Sequence, residues 1–203
     1  TYDTLFSTIQ NGLVDYSGHH DIIHTLIDAL KTRHVISITY RAITEDQPKT
    51  YDIMPLKLFS HKDTIYVNAR KYPASPKKHA DEFDPVLAVH RIVSAEKKDI
   101  PFEFPADYDF EKIFNRHFGI IKDKAFKVTA EFTGWAAHYV SERTWSPDQK
   151  IRRVDENSII LEFTASSEPE VISWLLWFGE EARLIKPQHL TKNIADRIAK
   201  MMK

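Results

Sequence analysis

Thr64-Ile65-Tyr66-Val67-Asn68-Ala69-Arg70-Lys71-Tyr72 decides the fold class. Ile65, Val67 and Ala69 face one way, and Tyr66, Asn68, Arg70 and Tyr72 face the other, the period of two expected of a strand lying on a core. The stretches around it carry the same signature. Val35 to Tyr40 is β-branched and aromatic, with Ile36, Ile38 and Tyr40 on one face. Asp52 to Phe59 sets Met54 and Leu56 together, and Pro55 inside it predicts an edge or a bulge, because proline donates nothing to a ladder. Pro85 to Ala95 reads as one further strand, with Leu87, Val89 and Arg91 opposite Ala88, His90 and Ile92. Between the last two, Pro73 to Lys78 is a polar, proline-broken loop.

Outward from these strands the period changes. Leu5, Ile9 and Leu13 recur at helical spacing, and Ile22, Ile23, Leu26, Ile27 and Leu30 resume the stripe after a break at Ser17-Gly18. Pro101 to Pro105 marks a boundary, and Phe110, Ile113 and Phe114 predict a short helix that Asp107 and Asp109 help to start. After Lys122 a second unit begins. Val128, Ala130 and Phe132 alternate as a strand, and Trp135 to Ser141 suits a helix. Ile151 to Phe163 reads as a hairpin turning at Asp155-Glu156-Asn157. Ser167 and Glu170 have capping-box spacing ahead of Val171, Leu175 and Phe178, and Gly179 can end that helix. Ala182 to Ile185 is a short strand, and Leu190, Ile194 and Ile198 stripe a last helix. The order is β-α-β-β-α-β plus a helix, a split βαβ arrangement. The class is α+β, divided as linking helices over 1–31, a β domain over 32–104, a connector over 105–125 and an extension over 126–203.

Composition narrows the function. With 203 residues, 42% hydrophobic and 28% charged, the chain is an ordinary globular one. Its 28 Lys and Arg against 29 Asp and Glu leave a formal net charge of −1, so any nucleic-acid site is local. Cysteine is absent, which excludes disulfides, cysteine zinc sites and thiol catalysis and is compatible with the cytoplasm. No apolar run nears the roughly 18 residues of a membrane helix; the longest is Trp174 to Phe178. The five glycines are scattered, so no P-loop and no G-x-G-x-x-G turn exists, and neither G-x-S-x-G nor H-E-x-x-H occurs. His20 and His24, with Asp21 near, are the best metal-like pair, but two ligands make no site and the expectation is no metal and no cofactor. Asp81, Glu82 and Asp84 read as a solvated acidic loop rather than an acid–base pair.

What chemistry is present lies on Tyr66, Asn68, Arg70 and Tyr72. In a row they offer a ring to stack on a base, an amide to read its edge and a guanidinium to fork onto phosphate. Arg91 stands near its strand's end, where its charge can reach a ligand. The plainer reading of the same residues is an exposed, cross-strand-paired surface.

Ile36-Ser37-Ile38-Thr39-Tyr40, Met54-Pro55-Leu56-Lys57-Leu58, Thr64 to Arg70 and Leu87-Ala88-Val89-His90-Arg91-Ile92, in that order over roughly residues 20–100, resemble the WYL domain. The stretch from Phe126, with Phe132, Gly134, Tyr139, Trp145 and the Trp174 to Gly179 helix end, is similar to the extension that follows WYL domains. The resemblance implies a Sm-like, SH3-type β-barrel and a ferredoxin-like βαββαβ extension. It implies the ligand-sensing, homodimeric part of a bacterial transcriptional regulator, responding to a nucleotide or single-stranded nucleic acid. Duplex operator DNA would be held only by a helix-turn-helix domain ahead of Thr1, with residues 1–30 as connecting helices. It further implies ligand-binding roles for Tyr40, Tyr66, Asn68, Arg70, His90 and Arg91. Tyr66 and Arg91 match the motif, while Ile65 and Val67 replace its Trp and Leu. Ala88 and His90 stand where the family has Arg and Asp, so one phosphate contact is lost and His90 can replace it in part, with a charge that depends on pH.

Two other readings are weighed against a sensing module that is not an enzyme: a nucleotide- or nucleic-acid-processing enzyme, for which no base or metal set is legible, and a ligand-free dimerisation module. The homodimer is expected on the apolar load of Trp174, Leu175, Trp177 and Phe178, which points in too many directions for one buried face.

Overall fold

The computed structural model describes residues 12–73 and 84–203, which fall into two compact units that divide between Asp107 and Tyr108. Leu5 and Ile9 of the first expected helix, most of the Pro73 to Lys78 loop, and Asp81 and Glu82 lie outside the described residues.

The first unit is one helix on one antiparallel sheet. Helix α1 (His20–Thr32) buries Leu26 and Ala29, and Arg33 ends it in the left-handed region at φ 54°. Its buried residues belong to the same core as Ile36, Ile38, Ile53, Val67, Ala69, Val89 and Ile92, so α1 is part of this unit. The strands are β1 (His34–Tyr40), β2 (Lys49–His61), β3 (Thr64–Lys71), β4 (Val86–Ala88) and β5 (Ile92–Pro101), in the order β4-β3-β2-β1-β5. Pro55 proves compatible with an interior strand for two local reasons. The ladder from β2 to β1 stops at Ile53, so nothing on that side needs a proline N–H, and the ladder to β3 slips between Pro55 and Lys57 in a bulge at Leu56.

The single strand expected over Pro85 to Ala95 is two strands. A 3-10 turn at Val89–Arg91 separates β4 from β5, and these pair with β3 and β1 at opposite edges of the sheet. Three residues cannot span a flat five-stranded sheet, whose edges lie about 19 Å apart at ~4.8 Å per strand. The sheet therefore curls until its edges approach. It does not close: among the described residues β4 and β5 are not paired with each other, so the expected closed barrel is corrected to a curled, open sheet. The alternation expected of β3 also fails at one position. Asn68, assigned to the outer face, is wholly buried.

The second unit carries the expected element order: α2 (Phe110–Phe114), β6 (Phe126–Thr133), α3 (Gly134–Ser141), β7 (Lys150–Arg153), β8 (Ser158–Ala165), α4 (Glu168–Trp177), β9 (Ala182–Lys186) and α5 (Gln188–Met201). The antiparallel sheet order is β7-β8-β6-β9. Asp109 caps α2 by accepting from Lys112 N at 3.2 Å, and Ser167 caps α4 by accepting from Glu170 N. Glu170 does not return the bond to Ser167. It accepts instead from the N–H groups of Ile120 and Ile121, so half of the capping box is spent on the loop before β6. Gly179 ends α4 at φ 63°. The core is Val128, Phe132, Leu161, Phe163, Val171, Leu175 and Phe178 with their neighbours. The apolar load at the end of α4 is therefore divided: Leu175 and Phe178 are core, Trp174 packs against it, and Trp177 is 59% exposed.

No helix among the described residues is long and apolar enough to cross a membrane, and none of their His, Asp and Glu clusters can hold a metal.

Candidate functional site

The six residues expected to bind ligand separate into two groups. The β3 group is engaged within the protein, although Asn68 Oδ1 is buried without a hydrogen-bond partner. The Asn68 amide nitrogen donates to the carbonyls of Asp84 and Pro85 at 3.1 and 3.0 Å, anchoring the chain as it enters β4. Arg70 presents Nε and Nη2 to both oxygens of Asp84 at 2.9 Å and its remaining donors to Asp107 at 3.2 and 3.3 Å. These hydrogen bonds, Asp84 first, hold the guanidinium's pKa above its ordinary value against the opposing effect of burial. Tyr66 stacks on Phe59 with ring centroids 5.5 Å apart. Tyr72 follows β3 and donates its N–H to Asp52 O. Tyr40 is buried, and its hydroxyl accepts from Ala88 N at 3.3 Å. It supports the end of β4, immediately before the 3-10 turn.

His90 and Arg91 lie on that turn, and here the structure opens. A cavity of about 420 Å³ is lined by Gly18, His19, Ile22, Arg41, His90, Arg91, Ile92 and Val93. Three separate segments meet in it. Arg41 follows the last residue of β1, and its N–H donates to Arg91 O at 3.0 Å, tying the two arginine-bearing segments together. His19 is the N-cap of α1 and makes no side-chain capping bond, so the first-turn N–H groups of this 13-residue helix have no side-chain acceptor at the cap. His19 Nε2 donates to His90 O at 3.2 Å, a role fixed by the carbonyl, which can only accept.

The electrostatics of the cavity are one-sided. Neither Arg41 nor Arg91 makes a side-chain hydrogen bond or ion pair among the described residues, and Nδ1 of both His19 and His90 is buried without a partner. Burial, then the charge of Arg91, then that of His19 hold the His90 imidazole below its usual pKa. Two guanidiniums without a partner among the described residues, two imidazoles and the start of a helix line one space. That arrangement accepts an anion with several oxygens, such as a phosphate group.

Sequence reasoning therefore placed two of the six residues, His90 and Arg91, at the cavity and missed Arg41 and His19. Arg41 carries a faint signal, a charge directly after a strand end whose last residue is apolar and aromatic. His19 carries none, because its position depends on α1 folding back against a turn 71 residues away.

Comparison with known proteins agrees with the two-unit division. A family model for the WYL domain matches residues 21–97, and one for the WCX domain matches residues 124–202. No curated protein matches. Among solved structures, a CRISPR Cas-related protein is 11% identical with a TM-score of 0.57, over 90% of this chain and 51% of that one, and shares the fold. Proteasome accessory factor B/C (PafBC) of Arthrobacter aurescens is 14% identical with a TM-score of 0.40, over 91% of this chain and 27% of that one. The chain thus spans about half or less of the length of either.

Proposed function

We propose that this chain, which belongs to the WYL domain proteins and carries a WCX domain behind the WYL domain, is the ligand-sensing part of a cytoplasmic transcriptional regulator. Its ligand is a nucleotide or single-stranded nucleic acid held by phosphate in the Arg41–Arg91 cavity, and it acts by binding rather than by turnover. The observation that carries the reading is the pair of guanidiniums that line one cavity and have no side-chain partner among the described residues. Arg41 is exposed and Arg91 half-buried, so both guanidiniums can meet an anionic partner that comes from outside. The near-zero net charge supports a single local contact rather than a duplex-binding surface. We read the curled first sheet as an open relative of the SH3-type barrel and the second unit as ferredoxin-like, on the strength of its β-α-β-β-α-β order.

Titration with a fluorescent, 5′-phosphorylated oligothymidine at low salt tests the reading. Saturable, salt-sensitive binding that Arg41→Ala and Arg91→Ala each weaken is expected. Absence of binding, or binding indifferent to both substitutions, refutes it, and release of labelled fragments in magnesium or manganese would turn it toward an enzyme.

The homodimer is part of the same proposal. Trp135 and Trp177 are 48% and 59% exposed and meet edge to face at 5.6 Å, with Tyr139 against Trp177 at 5.2 Å. A continuous aromatic patch of this kind is a surface for a second copy. Light scattering at micromolar concentration is expected to give twice the 23.7 kDa chain mass, and a monomer mass refutes the dimer.

A further inference from the structure

The sheet of the second unit ends on one side in β7, which among the described residues pairs with β8 alone. All four of its residues, Lys150, Ile151, Arg152 and Arg153, are exposed. Val154 N donates to Ser158 O at 2.9 Å, so by the period of two the backbone groups of Lys150 and Arg152 also turn toward β8. Those of Ile151 and Arg153 turn outward, an N–H and a C=O from each. A strand edge of this kind is a template for one more strand.

The side chains decide which strand. Lys150, Arg152 and Arg153 make no ion pair or side-chain hydrogen bond among the described residues. The acids near them are placed otherwise. Glu162 stands across from Lys150 on β8, Asp155 lies in the turn and accepts from Asn157 N at 2.8 Å, and Glu156 follows it past the strand end. Asp148, just ahead of β7, is held by Lys127 and Thr164. A second copy of β7 would set cations against cations, which is unfavourable for facing pairs. The complement is an acidic strand.

We infer that β7 is the docking edge for an extended acidic segment of a partner protein, which joins the four-stranded sheet as a further strand. The backbone of that segment bonds to the outward groups of Ile151 and Arg153. Carboxylates stand opposite Lys150, Arg152 and Arg153, and an apolar side chain stands opposite Ile151. Along an antiparallel segment the order is acid, acid, apolar, acid. A nucleic-acid strand suits the edge less well. Phosphates accept hydrogen bonds but donate none, so the two outward carbonyls go unused. The open sheet face beside the edge also has no ring to stack a base. Across it Arg152 is followed by Ile160 and Glu131, and Lys150 by Glu162 and Thr129.

Fluorescence anisotropy at low salt tests the edge on the 203-residue chain. The probe is a labelled peptide with a Glu-Glu-Ile-Glu core flanked by threonines. Saturable binding with a Kd below about 1 mM is expected. A Lys-Lys-Ile-Lys core should not bind. A Glu-Glu-Pro-Glu core keeps the charge but lacks the N–H that faces Ile151 O, and should bind about fivefold more weakly. Arg152→Glu should weaken the Glu-Glu-Ile-Glu peptide about tenfold, whereas Arg91→Ala, in the other unit, should leave it unchanged. No saturation by about 1 mM overturns the inference, and so does full affinity in Arg152→Glu or equal affinity for the proline core, which would reduce the contact to charge alone. Displacement of the peptide from Arg91→Ala by 5′-phosphorylated oligothymidine would assign the edge to nucleic acid and also overturns it. Should Arg152→Glu fail to fold, the three peptides on the wild type decide.

Discussion

Arg70 and Arg91 belong to the same unit and are both candidates for a phosphate contact, with the heavier loss expected at Arg91 because Ala88 leaves it fewer cationic neighbours, yet their surroundings differ in kind. Arg70 is bidentate to Asp84, whose side chain is only 7% exposed, and also reaches Asp107. Arg91 has no carboxylate at all among the described residues and faces a cavity with a second free arginine. The chemistry of a guanidinium is identical at both places. What assigns one to structure and the other to ligand is whether the fold has already supplied an anion. An arginine on a strand beside an acidic loop is spent before any ligand arrives; one on a tight turn at a sheet edge is not.

The largest expected effect therefore falls on the residue that does not bind. Arg70→Ala removes the guanidinium that is bidentate to the shielded Asp84 carboxylate, and breaking a buried pair from one side costs about 3 kcal/mol, the low end of the range because the Asp107 arm is in solvent. Chemical denaturation should show that loss, while oligothymidine affinity stays within twofold of wild type. If affinity falls with stability unchanged, the contrast between the two arginines is reversed. Arg91→Ala is the mirror image. Removal of one charged hydrogen-bond partner costs about 1.5–3 kcal/mol of binding, roughly tenfold to a hundredfold, with the unfolding midpoint unmoved. A drop in stability comparable to that of Arg70→Ala would mean that Arg91 has a partner inside the fold after all.

Much of this architecture was legible from local pattern. The strands β1 and β3, the hairpin turn at Asp155-Glu156-Asn157 and the cap-to-glycine span from Ser167 to Gly179 each depend on neighbours in sequence, and each stands where the pattern set it, apart from the burial of Asn68 within β3. The errors came from long-range geometry. Pro85 to Ala95 alternates well enough to pass for one strand, but its halves serve opposite edges of a curled sheet, so a turn must interrupt them. Asn68 breaks the alternation of burial, because the chain at Asp84 and Pro85 covers it and supplies two carbonyls. At the site, a strand's polar face was legible as chemistry, but nothing in the spacing reveals that Asp84 and Asp107 bind Arg70 or that the start of α1 brings His19 to His90.

Tyr40 joins the two regions. Its hydroxyl accepts from Ala88 N under the turn that carries Arg91, although Tyr40 itself is not at the cavity. Tyr40→Phe removes that acceptor and leaves a buried N–H unpaired, which costs about 1 kcal/mol at this 3.3 Å separation. The loss should show in thermal unfolding, with ligand affinity changed less than threefold. An affinity loss equal to that of Arg91→Ala would make Tyr40 a ligand contact and merge what the structure separates.

The smallest effect sharpens the comparison through pH, because the cavity holds imidazoles where the Arg70 cluster holds none. In the free protein, burial and the neighbouring Arg91 and His19 keep His90 below its ordinary pKa of about 6.5. The unfolded chain thus takes up a proton first as pH falls, and stability from this group, present above that value, is lost as pH drops from about 6.5 toward the folded pKa. A bound anion has the opposite influence. It favours the protonated ring, so binding takes up a proton and affinity rises over the same window. Sulfate is the suitable probe, since its charge is constant here whereas a phosphate monoester titrates near 6. Between pH 7.5 and 6.0 its affinity, measured by competition against the fluorescent oligothymidine, should increase roughly threefold, as one partly transferred proton gives less than a decade per pH unit. The ligand-free unfolding temperature should fall over the same interval. His117, which burial also lowers, contributes to that fall with the same sign, so His90→Ala is the control: it should flatten the affinity profile and leave part of the stability trend. Affinity that is flat in the wild type, or greater at the higher pH, would show that the imidazoles stand apart from the anion and that the two arginines act alone.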